Sequence, residues 1–316
     1  MKRLVAVHPT FFYKNKIMKQ YDVVILTEKS FVNPPEVTPY IKNVLWEDQL
    51  VQEALERKGL SVIRIAWEDT DFDWATTRIA LVRSIWNYAT QVESFIKWFK
   101  EVQQKTQIVN VPEIIEWNID KHYLKDLSDK GIHIPTTIFA HKGDDISLKA
   151  FFEKGDWSEA VIKPTVSAGA KHTYRINAEN ISEHEAIFKE VIAQEDMIIQ
   201  PFLKSVMERG EVSLMVMNGK YTHAVLKIAK PGDFRVQDNW GGTVHHYNPT
   251  PEEMAFAEQA VAACSPTPQY ARIDIAYDND EQIVLIELEL FEPELWFRFK
   301  PEAADELAES MFEFLL

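Results

Sequence analysis

Residues 272–291 read RIDIAYDNDEQIVLIELELF, and this stretch constrains the chain most. Two β-rich runs flank Asp278, Asn279 and Asp280, which carry turn chemistry. Side chains of a strand alternate between its two faces. Strict alternation places Val284, Ile286, Leu288 and Leu290 on one face. Ile283, Leu285, Glu287, Glu289 and Phe291 take the other. In the first run Asp274 faces away from Ile273 and Ile275. Folding at the turn sets Asp274 opposite or diagonal to Glu287, so three carboxylates converge. Like charges so placed destabilise a sheet unless positive charge lies between them. An oxygen-only donor set suits a hard cation, most naturally Mg2+ held jointly with substrate phosphates. The alternative is a solvated acidic face, or charges that guard an edge strand.

The 316 residues suffice for roughly two domains at about 150 residues each. A net charge of −15 argues against a nucleic-acid partner. Local positive charge can still hold a small phosphorylated ligand. The single cysteine, Cys264, leaves no intramolecular disulfide and fits a reducing compartment. Its Ala-rich surroundings suit a small buried side chain rather than a nucleophile. No apolar run reaches transmembrane length. The N-terminal apolar run stops at His8-Pro9, too short for a signal peptide. A cytoplasmic protein without membrane contact is therefore expected. Residues 1–17 differ in character from the rest of the chain and read as a peripheral extension, with Met18 just before the first clean strand.

The first third alternates strand and helix. Strands are expected at Tyr21–Thr27, Ser61–Ala66 and Arg78–Ser84, and helices at Glu47–Lys58 and Val92–Gln104. Pro34, Pro35 and Pro39 mark a loop before the first helix. This βαβ pattern predicts a parallel sheet flanked by helices. Ligands of such sheets sit beyond the carboxyl ends of the strands. There the chain reads RSIWNY, which groups Arg83, Ser84, Asn87 and Tyr88 as candidate substrate contacts. The alternative is that the aromatics are core and Arg83 pairs with an acid such as Asp69 or Asp71.

Asn118 reads as the N-cap of a helix that runs to Gly131. Lys121 then falls in its first turn, unfavourable against the helix dipole unless an anion binds nearby; a merely solvated lysine is the alternative. Ala160–Pro164 is a strand interrupted by Lys163. The small-residue loop after it, Thr165–Thr173, can lay backbone N–H groups over phosphates, although a plain strand–turn–strand reads equally. Ser182 and Glu185 form a capping-box pattern. Pro201 puts the strand Met197–Leu203 at an edge. Asn218-Gly219 joins strands 211–217 and 220–228 as a hairpin. The loop Lys230–Thr243 carries Arg235. Thr250, Pro251 and Glu253 open a further helix, and a C-terminal amphipathic helix starts near Pro301.

The order of these features resembles an ATP-grasp ligase from about Met18 onward. The ordered set is Lys121, Lys163 with its loop, IIQPFL, Gly210-Glu211, Arg235 with Gly241-Gly242, Asp274, then Glu287-Leu288-Glu289. It resembles the branch of prokaryotic glutathione synthetase and ribosomal-protein glutamate ligase. More closely it resembles the group around the D-cycloserine-pathway cyclo-ligase, on Phe72-Asp73-Trp74, RSIWNY, WNIDK and ELELFEP. Departures fall at Glu289, which is Asn in the glutathione synthetase branch. Others fall at Asn87 and Glu294, where relatives usually carry Asp and Ser.

The resemblance implies an α/β chain whose C-terminal part is α+β: a parallel-sheet pre-ATP-grasp domain over 18–115, then ATP-grasp subdomains over 116–200 and 201–316. It implies that Lys121 and Lys163 meet the ATP phosphates under the 165–173 loop, with Ser167 and Gly169 among the contacts. Gln200 and the backbone of Phe202 and Leu203 would hold adenine, and Glu211 the ribose. Asp274, Glu287 and Glu289 would ligate Mg2+, as two ions. Arg235 and Lys163 would act on the phosphoryl group in transfer. The implied activity is ADP-forming ligation of a carboxylate to an amine, linear or cyclic, on a small amino-acid-like substrate. A non-catalytic ATP-binding protein and a phosphotransferase are the other readings. Small molecules are the expected partners, neither nucleic acid nor membrane, with a homodimer left open.

Overall fold

The first sheet starts from two strands with unbroken apolar runs, Val23–Leu26 and Ile79–Val82. The computed structural model describes residues 19–167, 172–237 and 240–316; the expected extension 1–17 and Gly169 lie outside them. Strands β1 (Tyr21–Thr27), β2 (Val62–Ala66), β3 (Thr77–Ser84) and β4 (Gln107–Val109) form a parallel sheet in the order β2-β1-β3-β4. Val23, Ile25, Ile79 and Leu81 pack on Val51, Ala54 and Leu55 of α1 (Pro39–Arg57). Val24, Leu26, Ala80 and Val82 share the opposite core with Phe95, Phe99 and Val102 of α2 (Val92–Val102). Both faces are covered, which is why β1 and β3 do not alternate. Helix α1 begins at Pro39 rather than Glu47. Proline lacks only an N–H that the first turn leaves unpaired, and Thr38 Oγ1 accepts from Ile41 N at 3.2 Å. Strand β4, three residues long, is too short to show a pattern in the sequence.

Two helices, α3 (Pro112–Asn118) and α4 (Tyr123–Asp129), replace the single helix expected from Asn118. Asn118 ends α3 instead of capping a helix. Its buried amide donates to Leu288 O and accepts from Leu290 N, both at 2.8 Å. Satisfying two buried backbone groups is worth more than a cap of about 1 kcal/mol. Lys121 consequently lies in the turn between helices, where its N–H donates to Thr165 O at 2.9 Å.

The central sheet contains β5 (Ile138–Ala140), β6 (Glu159–Pro164), β7 (Tyr174–Asn177) and β8 (Met197–Pro201), antiparallel in the order β5-β8-β6-β7. Its outer face carries α5 (Leu148–Gly155) and α6 (Ile181–Ile192) through Phe151, Phe152, Phe188 and Ile192. Strand β8 is interior, not an edge as Pro201 suggested. The proline is its last residue, so only the end of the ladder loses a donor. The Ser182–Glu185 box does not form: Asn180 precedes α6, and Glu185 accepts from Leu148 N at 2.8 Å.

After α7 (Lys204–Glu208) come β9 (Glu211–Met217), β10 (Lys220–Ile228), β11 (Thr243–Tyr247), α8 (Pro251–Ala262), β12 (Tyr270–Tyr277), β13 (Ile283–Glu289) and α9 (Ala303–Leu315). The third sheet is antiparallel, ordered β11-β10-β9-β12-β13. Asn218 and Gly219 have φ of 47° and 76°, as a two-residue hairpin of the I′ kind requires. Thr250 and Glu253 form the expected capping box. Helix α9 returns to the first sheet, where Leu307, Ala308 and Met311 share a core with Val51 and Leu55 of α1. The outer edge of β13 is covered rather than guarded by charge. Leu285 N donates to His133 O, Leu288 N to Tyr123 OH and Leu290 N to Asn118 Oδ1.

Candidate active site

Strand β13 departs from strict alternation at one point. Asp274 pairs with Glu287, but Ile275 pairs with Leu285, so Ile286 is an extra residue. Such a bulge shifts the phase of the strand. Leu285 therefore joins Leu288 and Leu290 in the core, while Ile286 lines a cleft beside Glu287 and Glu289. The sequence pattern had placed Leu285 and Ile286 the other way round.

The cleft, about 670 Å³, lies between the central and third sheets. Lys121, Lys163, Ser167, Gln200, Phe202 and Leu203 line it from one side. Glu211, Arg235, Asp274, Glu287 and Glu289 line it from the other.

Asp274, Glu287 and Glu289 bring one oxygen each within 4.8 Å of one another. Positive charge lies between them, supplied by the protein. Arg272 Nη2 donates to Asp274 Oδ2 at 2.9 Å and also to Glu289. Lys227 Nζ pairs with Asp274 Oδ2 at 3.1 Å and with Glu211. Lys121 Nζ stands 3.2 Å from Glu287 Oε1. Burial alone would raise the Asp274 carboxyl, but Arg272 and Lys227 hold it well below the usual range. Glu287 is likewise lowered: burial raises it, and Lys121 and Lys163 outweigh that. Glu289 is not compensated. Burial, with Glu287 and Asp274 nearby, pushes it up to about 8 despite Arg272.

This donor set fits a hard divalent cation. It is oxygen-only, and Glu287 and Glu289 each keep one oxygen free of partners among the described residues.

On the opposite wall of the cleft, Lys121 Nζ also donates to Ser167 O at 3.0 Å. Lys163 lies in the same field, lowered by burial and by Lys121 against the pull of Glu287. Further along the cleft Gln200 Nε2 donates to Thr137 Oγ1 at 2.9 Å. The backbone of Phe202 is already engaged, its N–H by Glu159 O and its carbonyl by Asn279 Nδ2. The Leu203 N–H has no protein acceptor among the described residues. Arg235 is fixed by Asp233 through Nε at 3.0 Å and Nη2 at 2.8 Å, and its Cζ lies 3.4 Å from the Trp240 ring centroid.

Of the four residues grouped at the end of β3, only Tyr88 lines the cleft. Arg83 is 3% exposed; its Nη1 donates to Pro293 O at 3.0 Å and it packs on Phe297, with neither Asp69 nor Asp71 as partner. Ser84 Oγ bonds Thr27 Oγ1 and Asp48. Asn87 accepts from Trp67 Nε1 and donates to Glu68. Trp86, the indole of RSIWNY, lines the cleft beside Tyr88, and Arg272, Lys227 and Glu292 join the site unforeseen. Arg272 was readable two residues before Asp274 on one strand face. Lys227 was readable from the hairpin register, which pairs it with Glu211.

Known proteins are similar to this chain in sequence and fold. The RimK-like ATP-grasp domain model matches residues 120–293, and the N-terminal domain of D-cycloserine synthetase DcsG matches residues 23–110. The chain belongs to the RimK-like ATP-grasp family. It is an ATP-dependent, ADP-forming ligase of that family, in which ATP is used with Mg2+. It is 29% identical over 281 residues to the cycloserine biosynthesis protein DcsG of Streptomyces lavendulae, covering 83% of this chain and 91% of that one. A probable alpha-L-glutamate ligase of Thioalkalivibrio sulfidiphilus is 30% identical over 141 residues, 43% of this chain and 44% of that one. The crystal structure of D-cycloserine synthetase DcsG superposes with a TM-score of 0.80 at 24% identity, over 93% of this chain and 99% of that one. D-alanine–D-alanine ligase from Bacillus anthracis gives 0.64 at 14%, over 93% and 97%. These two superpositions speak for the fold. No helix among the described residues is long and apolar enough to cross a membrane.

Proposed function

We propose that this ligase joins a carboxylate to an amine through an acyl phosphate, on a small amino-acid-like substrate. The observation that carries the reading is one cleft in which Lys121, Lys163, Lys227 and Arg272 surround Asp274, Glu287 and Glu289. A carboxylate and the terminal phosphate of ATP repel each other, and fixed cations oppose that charge without reorganising. Lys121 and Lys163 hold the phosphates from one side. Arg235, oriented by Asp233 and Trp240, meets the phosphoryl group in transfer. Arg272 ties Asp274 to Glu289 and orients both carboxylates. Bound Mg2+, as two ions on Asp274, Glu287 and Glu289, would add Lewis-acid charge neutralisation to this set. Leu203 N–H and Gln200 face adenine, and Glu211 the ribose.

The remaining end of the cleft supports an amine-bearing substrate. Tyr40, Trp86, Tyr88 and Trp296 line it together with Glu292 and Glu294. Aromatic faces and carboxylates together favour a cationic amino group. Glu292, pushed up to about 7 by burial, can take a proton from an attacking ammonium group. The test is ADP release over paired amino-acid-like acids and amines, with product mass read for each pair. The reading requires ADP release that depends on both partners and a product that has lost one water. ADP release indifferent to both partners contradicts it.

A further inference from the structure

A second cluster of metal-ligating side chains lies behind Lys121, away from the oxygen-only acids. His122 sits in the turn between α3 and α4, His141 follows β5, and Asp196 precedes β8. Each offers one ligand atom, and the three lie within 4.8 Å of one another. His141 Nδ1 is 3.2 Å and His122 Nε2 3.6 Å from the same atom, Asp196 Oδ2. Ligands bound tetrahedrally at about 2.0–2.1 Å from a metal stand roughly 3.3 Å apart, so these spacings already match.

Hydrogen bonds around the cluster orient its ligand atoms. His122 Nδ1 is 2.7 Å from Asp120 Oδ1, and a carboxylate only accepts, so Nδ1 carries the hydrogen. The other ring nitrogen, Nε2, then faces Asp196 Oδ2. Asp196 Oδ1 is already taken by Lys142 N at 2.8 Å, which leaves Oδ2 to face both imidazoles. The two rings are parallel to within 1°, and His122 is further held by stacking on Phe139 at 4.5 Å. A histidine whose far nitrogen is fixed by a carboxylate is the supporting arrangement found around bound transition metals.

We propose that His122, His141 and Asp196 bind one divalent transition metal of the zinc class, with water completing the shell. Two imidazoles and one carboxylate suit Zn2+, Co2+ or Ni2+ and do not suit Mg2+, which keeps oxygen ligands. The site joins three chain segments at the foot of the phosphate loop. Thr165 N donates to Asp196 O, and Lys121 N, next to His122, donates to Thr165 O. The metal therefore fastens the backbone that carries Lys121 without touching the nucleotide.

The test is calorimetric titration of Zn2+ alone into chelator-stripped full-length protein at saturating Mg2+, with Co2+ absorption as a second probe of geometry. The expected result is one site with tetrahedral Co2+ bands. His141→Ala, at a side chain 66% exposed, should weaken it by more than about 100-fold, and Asp120→Asn by about 10–100-fold. Glu287→Gln should leave it unchanged, and Zn2+ should raise the melting temperature of the wild type but not of His141→Ala. No Zn2+ binding by the wild type would leave these three side chains a hydrogen-bonded cluster only. Binding that survives His141→Ala but is lost in Glu287→Gln would place the ion among the acids. Either result overturns the proposal.

Discussion

Lys121 Nζ lies 3.2 Å from Glu287 Oε1 and 3.0 Å from Ser167 O, so one buried ammonium joins the acidic strand to the segment that follows β6. Lys121 is 6% exposed. Its charge has no solvent to fall back on, and Glu287 is the carboxylate that matches it. On the proposed reading, phosphates entering the cleft would compete with Glu287 for this lysine, and a cation would compete with the lysine for Glu287.

Glu287→Gln should abolish Mg2+-dependent turnover while the protein stays folded. The substitution keeps the side chain's shape and an amide oxygen beside Lys121, yet it takes away the charge of a proposed cation ligand. ADP release at saturating Mg2+, read beside circular dichroism, checks this. Unchanged turnover would remove Glu287 from the cation site.

Arg235→Ala should lower kcat by roughly 10²–10³, the scale of one preorganised donor acting on developing charge. ATP affinity should change far less. Asp233 and Trp240 hold the guanidinium before any ligand arrives, which is what preorganisation requires. Equal losses in kcat and in ATP affinity would make Arg235 a ground-state contact.

Arg83→Ala should lower unfolding stability by roughly 2–3 kcal/mol, the worth of a buried hydrogen bond to a charged group. The reason is its inward placement on Pro293 O and Phe297. ATP affinity should not move. Urea denaturation paired with substrate titration separates the cases: intact stability with selectively weakened substrate binding would return Arg83 to the pocket.

His223 should shape the acid limb of stability. Its Nε2 donates to Leu295 O at 2.9 Å, and burial pushes the imidazole down to about 4 although that bond favours the charged form. The unfolded chain, near 6.5, binds the proton first, so stability present above 6.5 is lost as pH falls toward 4. The contribution is on the order of 3 kcal/mol. His223→Gln keeps a donor for Leu295 O and should flatten the pH dependence across this window. Urea midpoints measured from about pH 4 to 7 decide it; parallel curves for the two proteins would contradict it.

Much of this was legible because local chemistry decided it. The apolar runs of β1 and β3, the Asn218-Gly219 turn and the Thr250–Glu253 box carry their own instructions. What failed was decided at a distance. Asn118 has the residue type and position of an N-cap, but Leu288 and Leu290, far along the chain, claim its amide. The bulge at Ile286 is invisible in IVLIELE, because Leu285 and Ile286 satisfy either phase equally well. RSIWNY does end β3, yet whether its side chains turn inward depends on Pro293 and Phe297, which no local pattern announces. The acids were visible as a cluster; their protein-borne counter-charges at Arg272 and Lys227 were readable from strand spacing and register and went unread.

The most direct test is a hydroxylamine trap during ATP turnover with a responsive acid substrate. An acyl phosphate formed in this cleft must yield the hydroxamate of that acid, with one ADP and one phosphate released for each hydroxamate, and Arg235→Ala must slow both together. A stable phosphate ester would show a phosphotransferase, and ADP release without hydroxamate would show that no activated carboxylate forms; either contradicts the account.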